Sequence, residues 1–213
     1  MNFNNYLSEK LTNTQFDLLV KKKQYARGSY IYLPPDIPGK IFQVNKGVVK
    51  IGSYSSNGEE VCFDFVYDNV LFGNLGYHCG SFLEFAKATT DVEIITYDFV
   101  IIKHLIAQDP MVYEWFSKSI IERKNRMEQR IISICSLTPK ERLIHLFQDF
   151  DKIIICNKGK KHWIPDLFSD KEIAQLTGLT RQTVSKILKS LSSFEEENLQ
   201  YKKSKYCLKD VLH

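Results

Sequence analysis

The 213-residue sequence lacks the short motifs that mark common enzyme chemistry. It has no Gly-rich phosphate loop followed by a Lys-Ser/Thr pair, no nucleophile–base signature, and no His/Cys cluster at metal-ligand spacing. Cys62, Cys79, Cys135, Cys156 and Cys207 are odd in number and scattered, with no CxxC among them. That pattern fits reduced thiols better than a disulfide framework or a zinc site. No apolar run approaches the ~20 residues that span a bilayer. The opening MNFNNYLSEKL lacks the basic-then-apolar texture of a secretory signal. The expectation is a cytoplasmic protein that is not an enzyme and has no metal, no resident cofactor and no membrane partner. A hydrophobic content of 44% and a charged content of 25% are ordinary for a folded globular chain. The length suits one large domain or two small ones. The net charge of +4 is small but unevenly placed. Residues 1–137 carry 15 basic and 15 acidic side chains, whereas residues 138–213 carry 14 against 10. The excess therefore sits at one end, where it favours encounter with a polyanion.

That end holds the most informative stretch, Ser169 to Leu191. Ser169 and Glu172 have the spacing of a capping box, so a helix is predicted from Asp170. Ile173 and Leu176 supply its apolar side, and Ala174 is small enough for a second helix to cross nearby. Gly178 suits the left-handed conformation that ends a helix. Thr180 is the expected N-cap of a second helix, with Val184, Ile187, Leu188 and Leu191 as its buried stripe. Arg181, Gln182, Ser185, Lys186 and Lys189 remain on the other side, with no acid among them. Helical hairpins that bind nothing share part of this pattern. The spacing of the small residue, the glycine and the apolar positions is that of a helix-turn-helix, whose second helix enters the DNA major groove. Arg pairs bidentately with guanine and Gln with adenine.

The remainder of the chain divides by texture. Residues 3–25 look helical and close on Lys21-Lys22-Lys23, which suits a helix C-terminus or, less simply, a nucleic-acid patch. From Arg27 to about Tyr97, short β-rich runs alternate with turn signals, and Asn57-Gly58 marks a hairpin. Such spacing predicts a β-barrel, roll or sandwich. Asp109-Pro110 opens a helix that runs to about Ser136, with Phe116, Ile120, Met127, Ile131 and Ile134 along one side. It either pairs with its twin in a dimer or packs along its own domain. Thr138, Pro139 and Glu141 restart the chain as a new helix. Leu199–Lys202 and Tyr206–Leu208 are predicted to form a final hairpin with Lys203 at its tip, a wing whose lysines would meet phosphate. The fold class is α+β in three parts: a β-rich unit over 1–109, a long helix over 110–137, and a winged helix-turn-helix over 138–213.

This order of parts resembles the Crp/Fnr family of bacterial transcription regulators. The resemblance rests on Lys46-Gly47, Asn57-Gly58-Glu59-Glu60, Phe72-Gly73, Ala88-Thr89-Thr90-Asp91-Val92-Glu93 and Thr180-Arg181-Gln182-Thr183-Val184-Ser185-Lys186. It implies a β-roll of cyclic-nucleotide-binding type over 1–109, a dimerisation helix over 110–137, and a homodimer that binds double-stranded DNA at a palindromic site, with RNA polymerase as partner. Arg181, Gln182, Ser185 and Lys186 would face bases, and Thr180, Thr183, Lys189 and Lys203 would complete the DNA contact. The family commonly has Glu at position 182 and Arg at position 186. Gln in place of Glu favours adenine over cytosine, and Lys gives up bidentate geometry.

The effector site departs further from the family. The Gly-Glu pair that holds the ribose of cyclic AMP in the family falls on Gly73-Asn74, and the Arg-Ser pair that holds its phosphate falls on Phe82-Leu83. The Thr-Ser pair that touches adenine falls on Met127-Glu128. A phosphate facing Phe and Leu loses its partners at high cost, so control by cyclic AMP is not expected and the effector is unknown. No cysteine precedes Cys62, so the family's N-terminal iron–sulfur cluster is not expected either. Phe72, Gly73, Asn74, Phe82, Leu83 and Met127 would line a pocket for an uncharged ligand, or would simply fill a core. The alternative function is a small-molecule or redox sensor that acts mainly through protein contact.

Overall fold

A computed structural model describes residues 3–36, 39–73, 75, 82–155, 159 and 161–196, with the side chains of the last helix as far as Leu191. The chain opens with α1 (Phe3–Lys10) and α2 (Asn13–Leu19) and then turns directly into β1 (Val20–Tyr25). The lysine run therefore lies in a strand and not at the end of a helix. Two local facts explain the difference. A Thr12–Gln15 capping box restarts the helix. Val20–Tyr25 then pairs antiparallel with β8 (Val92–Asp98), from Val20 opposite Tyr97 to Tyr25 opposite Val92. β1 is an edge strand, and Lys21 to Lys23 are exposed on it. Exposed lysines on an edge discourage pairing with a second chain.

The roll consists of two four-stranded antiparallel sheets. One runs β1, β8 (Val92–Asp98), β3 (Lys40–Lys46), β6 (Leu71–Gly73). The other runs β2 (Tyr30–Tyr32), β7 (Phe85–Ala88), β4 (Val48–Tyr54), β5 (Glu60–Tyr67). Asn57-Gly58 does turn the β4–β5 hairpin, with Gly58 at φ 76°. Between the sheets lie Tyr32, Phe42, Val44, Ile51, Val66, Phe72 and Ile94, all buried.

α3 (Phe99–Gln108) leads into α4 (Pro110–Ser136), which starts on an Asp109 cap and Pro110. Its apolar residues do not share one surface. Val112 and Phe116, with Ile120 half-buried beside them, pack with α1, α2 and the outer face of the first sheet. Phe3 stacks on Trp115 there. Met127 and Ile131 are exposed, and Ile134 lies under Gly178. α5 (Pro139–Asp149) starts on the Thr138–Glu141 capping box. A short hairpin follows, β9 (Ile153–Ile155) with β10 (Lys161–Trp163), and then α6 (Asp170–Thr177) and α7 (Arg181–Glu196).

The C-terminal helices share their core with the roll. Phe65 of β5 stacks on Phe168 with ring centroids 4.4 Å apart, and both meet Phe150 edge-on. Leu143, Phe147, Ile173 and Val184 complete that core. Among the described residues no helix is long and apolar enough to cross a membrane.

Candidate nucleic-acid interface

The α6–α7 unit is built by local chemistry. The Ser169 hydroxyl accepts from the Glu172 amide, and the Glu172 carboxylate accepts from the Ser169 amide at 2.8 Å. Gly178 adopts φ 64°, the left-handed turn that frees the chain to reverse. A side chain at 178 would also crowd Ile134 of α4, 3.1 Å from where its Cβ would stand. The Thr180 hydroxyl accepts from the Thr183 amide at 3.1 Å and so begins α7. Val184 and Leu191 are buried, and Ile187 and Leu188 pack against the same core.

At 100° per residue the opposite face of α7 carries Arg181, Gln182, Ser185, Lys186 and Lys189. Arg181, Gln182, Lys186 and Lys189 are exposed, and Ser185 is half-buried. The structure thus brings these five together on one outward arc of three cations and no acid. Thr180 is exposed and Thr183 half-buried, and both hydroxyls are engaged in the cap, 2.8 Å apart. Lys203 and the predicted wing lie outside the described residues.

The first helix of the pair is bolted to the roll by contacts that sequence reasoning missed. The Gln175 side chain accepts from the Cys62 amide and donates to the Glu60 carbonyl, both at 2.9 Å. One amide group on α6 therefore extends the ladder at the free edge of β5. Beside it, Lys50 lies 2.7 Å from Glu60 and 3.1 Å from Glu172. Lys87 and the Tyr30 hydroxyl close on Glu60 from the other side, at 3.0 and 2.6 Å. Gln175 and Glu60 lie 115 residues apart, and Lys50 and Glu172 are further apart still, so no local pattern announces these contacts.

The Glu60 carboxyl has a measurable consequence. Burial alone would push it up, but hydrogen bonds from Lys50, Tyr30 and Lys87 outweigh burial and hold it at about 2, against an ordinary 4.5. Its folded value is depressed, so its stabilisation is complete above pH 4.5 and is lost as pH falls from there towards 2. Glu60→Gln is expected to flatten the fall of melting temperature across that window. Thermal unfolding of both proteins from pH 6 to pH 2 measures it, and parallel curves would rule the assignment out.

Of the expected effector residues, Phe72 and Phe82 come together around Tyr32, at 6.2 and 5.6 Å. Phe42 completes the cluster, 5.2 Å from Tyr32. Gly73 ends β6 at φ 96°, where a Cβ would stand 2.8 Å from the Phe42 ring. Leu83 is 63% exposed and Met127 48% exposed, so neither faces Phe72 across a pocket within this chain. Asn74 lies outside the described residues.

Sequence reasoning also missed an acid at this place. Glu84 accepts from the Tyr32 hydroxyl at 2.5 Å and from Arg123 of α4 at 2.8 Å. The pair is mostly buried, with side-chain exposures of 17% and 15%. Burial opposes the Arg123 charge, but the fields of Glu84 and Tyr32 outweigh it and raise its pKa.

No protein-family model matches the chain. The global nitrogen regulator of Synechococcus elongatus is 24% identical over 180 residues, 79% of this chain and 78% of that protein. The CRP-like cAMP-activated global transcriptional regulator of Mycobacterium tuberculosis is 22% identical over 165 residues, 77% of this chain and 74% of that protein. The structure of FixK2 from Bradyrhizobium japonicum superposes with a TM-score of 0.69 at 18% identity, covering 88% of this chain and 90% of that one. The chain resembles Crp/Fnr-type proteins in sequence and in fold. The roll, the long helix and the α6–α7 pair are the parts of that fold in the same order. The likeness spans most of each partner, so it extends over the chain as a whole and not over the helix pair alone.

Proposed function

We propose that this chain is a Crp/Fnr-type transcription regulator that reads DNA as a homodimer and is not controlled by cyclic AMP. The observation that carries the DNA reading is the outward arc of α7, with three cations, one amide and no acid. Arg181, Gln182, Ser185 and Lys186 would meet base edges. Thr180, Thr183 and Lys189, with Lys203 beyond the described residues, would complete the contact. Residues 1–109 act as the effector-type unit, 110–137 as the dimer helix and 138–213 as the reader. RNA polymerase is the natural partner of such a reader, and the cytoplasm its place.

The dimer reading rests on α4. Tyr113, Ser117, Ile120, Lys124, Met127 and Ile131 recur at alternating steps of four and three, the seam of a two-stranded coiled coil. Tyr113, Met127 and Ile131 are 58%, 48% and 61% exposed in the single chain. Lys124 sits on that seam and pairs with Glu128. A lysine there sets register at a cost in affinity. Lys124→Leu is therefore expected to tighten the dimer roughly tenfold by sedimentation equilibrium.

Independence from cyclic AMP is supported by the aromatic filling of the roll and by Glu84, an acid already holding Arg123. An anionic phosphate would have to displace that carboxylate and lie against Phe72 and Phe82. The reading as a whole is tested by selecting sites from a random duplex pool with purified protein and no added effector. A palindrome with half-sites about 10 bp apart is the expected product. No enrichment, with or without candidate ligands, would overturn the DNA reading in favour of a sensor acting through protein contact.

A further inference from the structure

A cavity lies outside the roll interior. It measures about 480 Å³ and sits between the β5–β6 turn and the first half of α4. Cavities of roughly 300–1,000 Å³ are the usual size for small-molecule sites. Leu71, Val70, Met111 and Trp115 supply its apolar lining. Its other wall is a row of charges of alternating sign, Glu114, Lys118, Glu122 and Arg126, spaced four residues apart along α4. Neighbours in such a row stand about 6 Å apart along the helix axis. The turn itself is unusual, because Asp68 and Asn69 both take positive φ, 33° and 67°.

The charges in this wall are only loosely committed. Lys118 and Glu122 are 3.9 Å apart, and both are well exposed. Such pairs contribute little and yield readily to a better partner. Arg126 reaches Asp64 only at 3.5 Å, whereas Arg130 holds the same carboxylate at 3.1 Å. The Arg126 Nε is buried with no partner among the described residues. Arg126 thus keeps donors in reserve, in the fork that suits a carboxylate. Asp68, by contrast, is already paired with Lys152 at 2.8 Å.

We propose that this cavity binds an α-amino acid with an apolar side chain. Arg126 takes the carboxylate, Glu122 takes the ammonium one helical turn away, and Trp115, Leu71 and Met111 receive the side chain. An apolar lining beside adjacent charges of opposite sign matches a zwitterion with an apolar tail. It matches neither a simple anion nor a simple cation. The lining positions of α4 fall on the face turned roughly 180° from Tyr113, Lys124 and Ile131, so the cavity stays open when that seam is covered. A bound amino acid would touch the roll and the long helix together, which gives it a route to the helix that sets subunit pairing. The binding itself is independent of the DNA reading, and its test contains no DNA.

The test is calorimetric titration of the full chain with L-leucine and L-phenylalanine. Two half-molecules serve as controls: 4-methylpentanoate, which has the carboxylate alone, and 3-methylbutylamine, which has the ammonium alone. Saturable binding of an amino acid at about 10 μM to 1 mM is expected. It should weaken at least about tenfold for either half-molecule and in Glu122→Gln. Glu122 is exposed, so that variant should melt with the wild type, and its loss of binding reports on the site and not on folding. Absence of binding by both amino acids overturns the proposal. So does 4-methylpentanoate binding as well as L-leucine, or Glu122→Gln binding unchanged.

Discussion

Arg181→Ala should remove most of the discrimination between a selected DNA site and a scrambled duplex. Arg181 is exposed at the first turn of α7, beyond the Thr180 cap and on the arc away from Val184 and Leu191. Its loss therefore opens no cavity and breaks no cap, and the melting temperature should not move. A bidentate arginine–guanine pair carries about 1–3 kcal/mol of discrimination, or roughly 5- to 150-fold at each half-site. Lys189→Ala should behave differently. As a phosphate contact it should weaken all duplexes alike and reduce the salt slope by about one. Fluorescence anisotropy on both duplexes at several salt concentrations separates the two effects. Gln182→Glu adds a change of kind, because an acceptor-only carboxylate should move the preference at its position from adenine towards cytosine. Unchanged discrimination in Arg181→Ala would mean that α7 does not read bases.

The parts behind that expectation were legible because their causes are local. Ser169 with Glu172, Thr138 with Glu141, and Gly178 before Thr180 each act over three or four residues, and the structure has each of them where the sequence indicated. Asn57-Gly58 is a similarly short signal. The lysine run at 21–23 shows where locality fails. An apolar spacing that suits a helix also suits an edge strand, and only β8, some seventy residues on, decides between them. The effector region shows it again. Substitution by Phe82 and Leu83 was visible in the sequence. That Phe82 turns in towards Tyr32 while Leu83 turns out, and that Glu84 then reaches Arg123, depends on where α4 lies. The clamp by Gln175 was invisible for the same reason, since nothing near Gln175 in sequence marks β5 as its partner. Contacts of this kind join the roll, the long helix and the reader, so the sequence identified the parts more readily than their coupling.

The largest stability effect is expected at Asp64, whose side chain on β5 is 2% exposed. One carboxylate serves two arginines of α4, with Arg130 at 3.1 Å and Arg126 at 3.5 Å, and it also accepts from the Phe65 amide at 3.0 Å. Arg130 donates in addition to the Phe63 carbonyl. Charges taken out of water in this way are tolerable only together. Asp64→Ala leaves the buried Arg130 guanidinium without its anion and also removes the longer Arg126 contact, and breaking such a buried pair costs about 3–5 kcal/mol. For a chain of this size that is a fall in melting temperature of roughly 6–20 °C. Asp64→Asn keeps the volume and one acceptor but loses the charge, so it should fall between the two. Replacing all three groups together, Asp64→Leu with Arg126→Met and Arg130→Met, should recover much of the loss, because a matched apolar set removes the desolvation penalty along with the pair. Thermal unfolding followed by circular dichroism ranks the four proteins. If Asp64→Ala melts within about a degree of wild type, α4 is held to the roll by its apolar contacts and the Arg123–Glu84 pair without help from Asp64. The expected order instead gives one buried carboxylate a large share of the junction between roll and long helix, next to the cavity wall that carries Arg126.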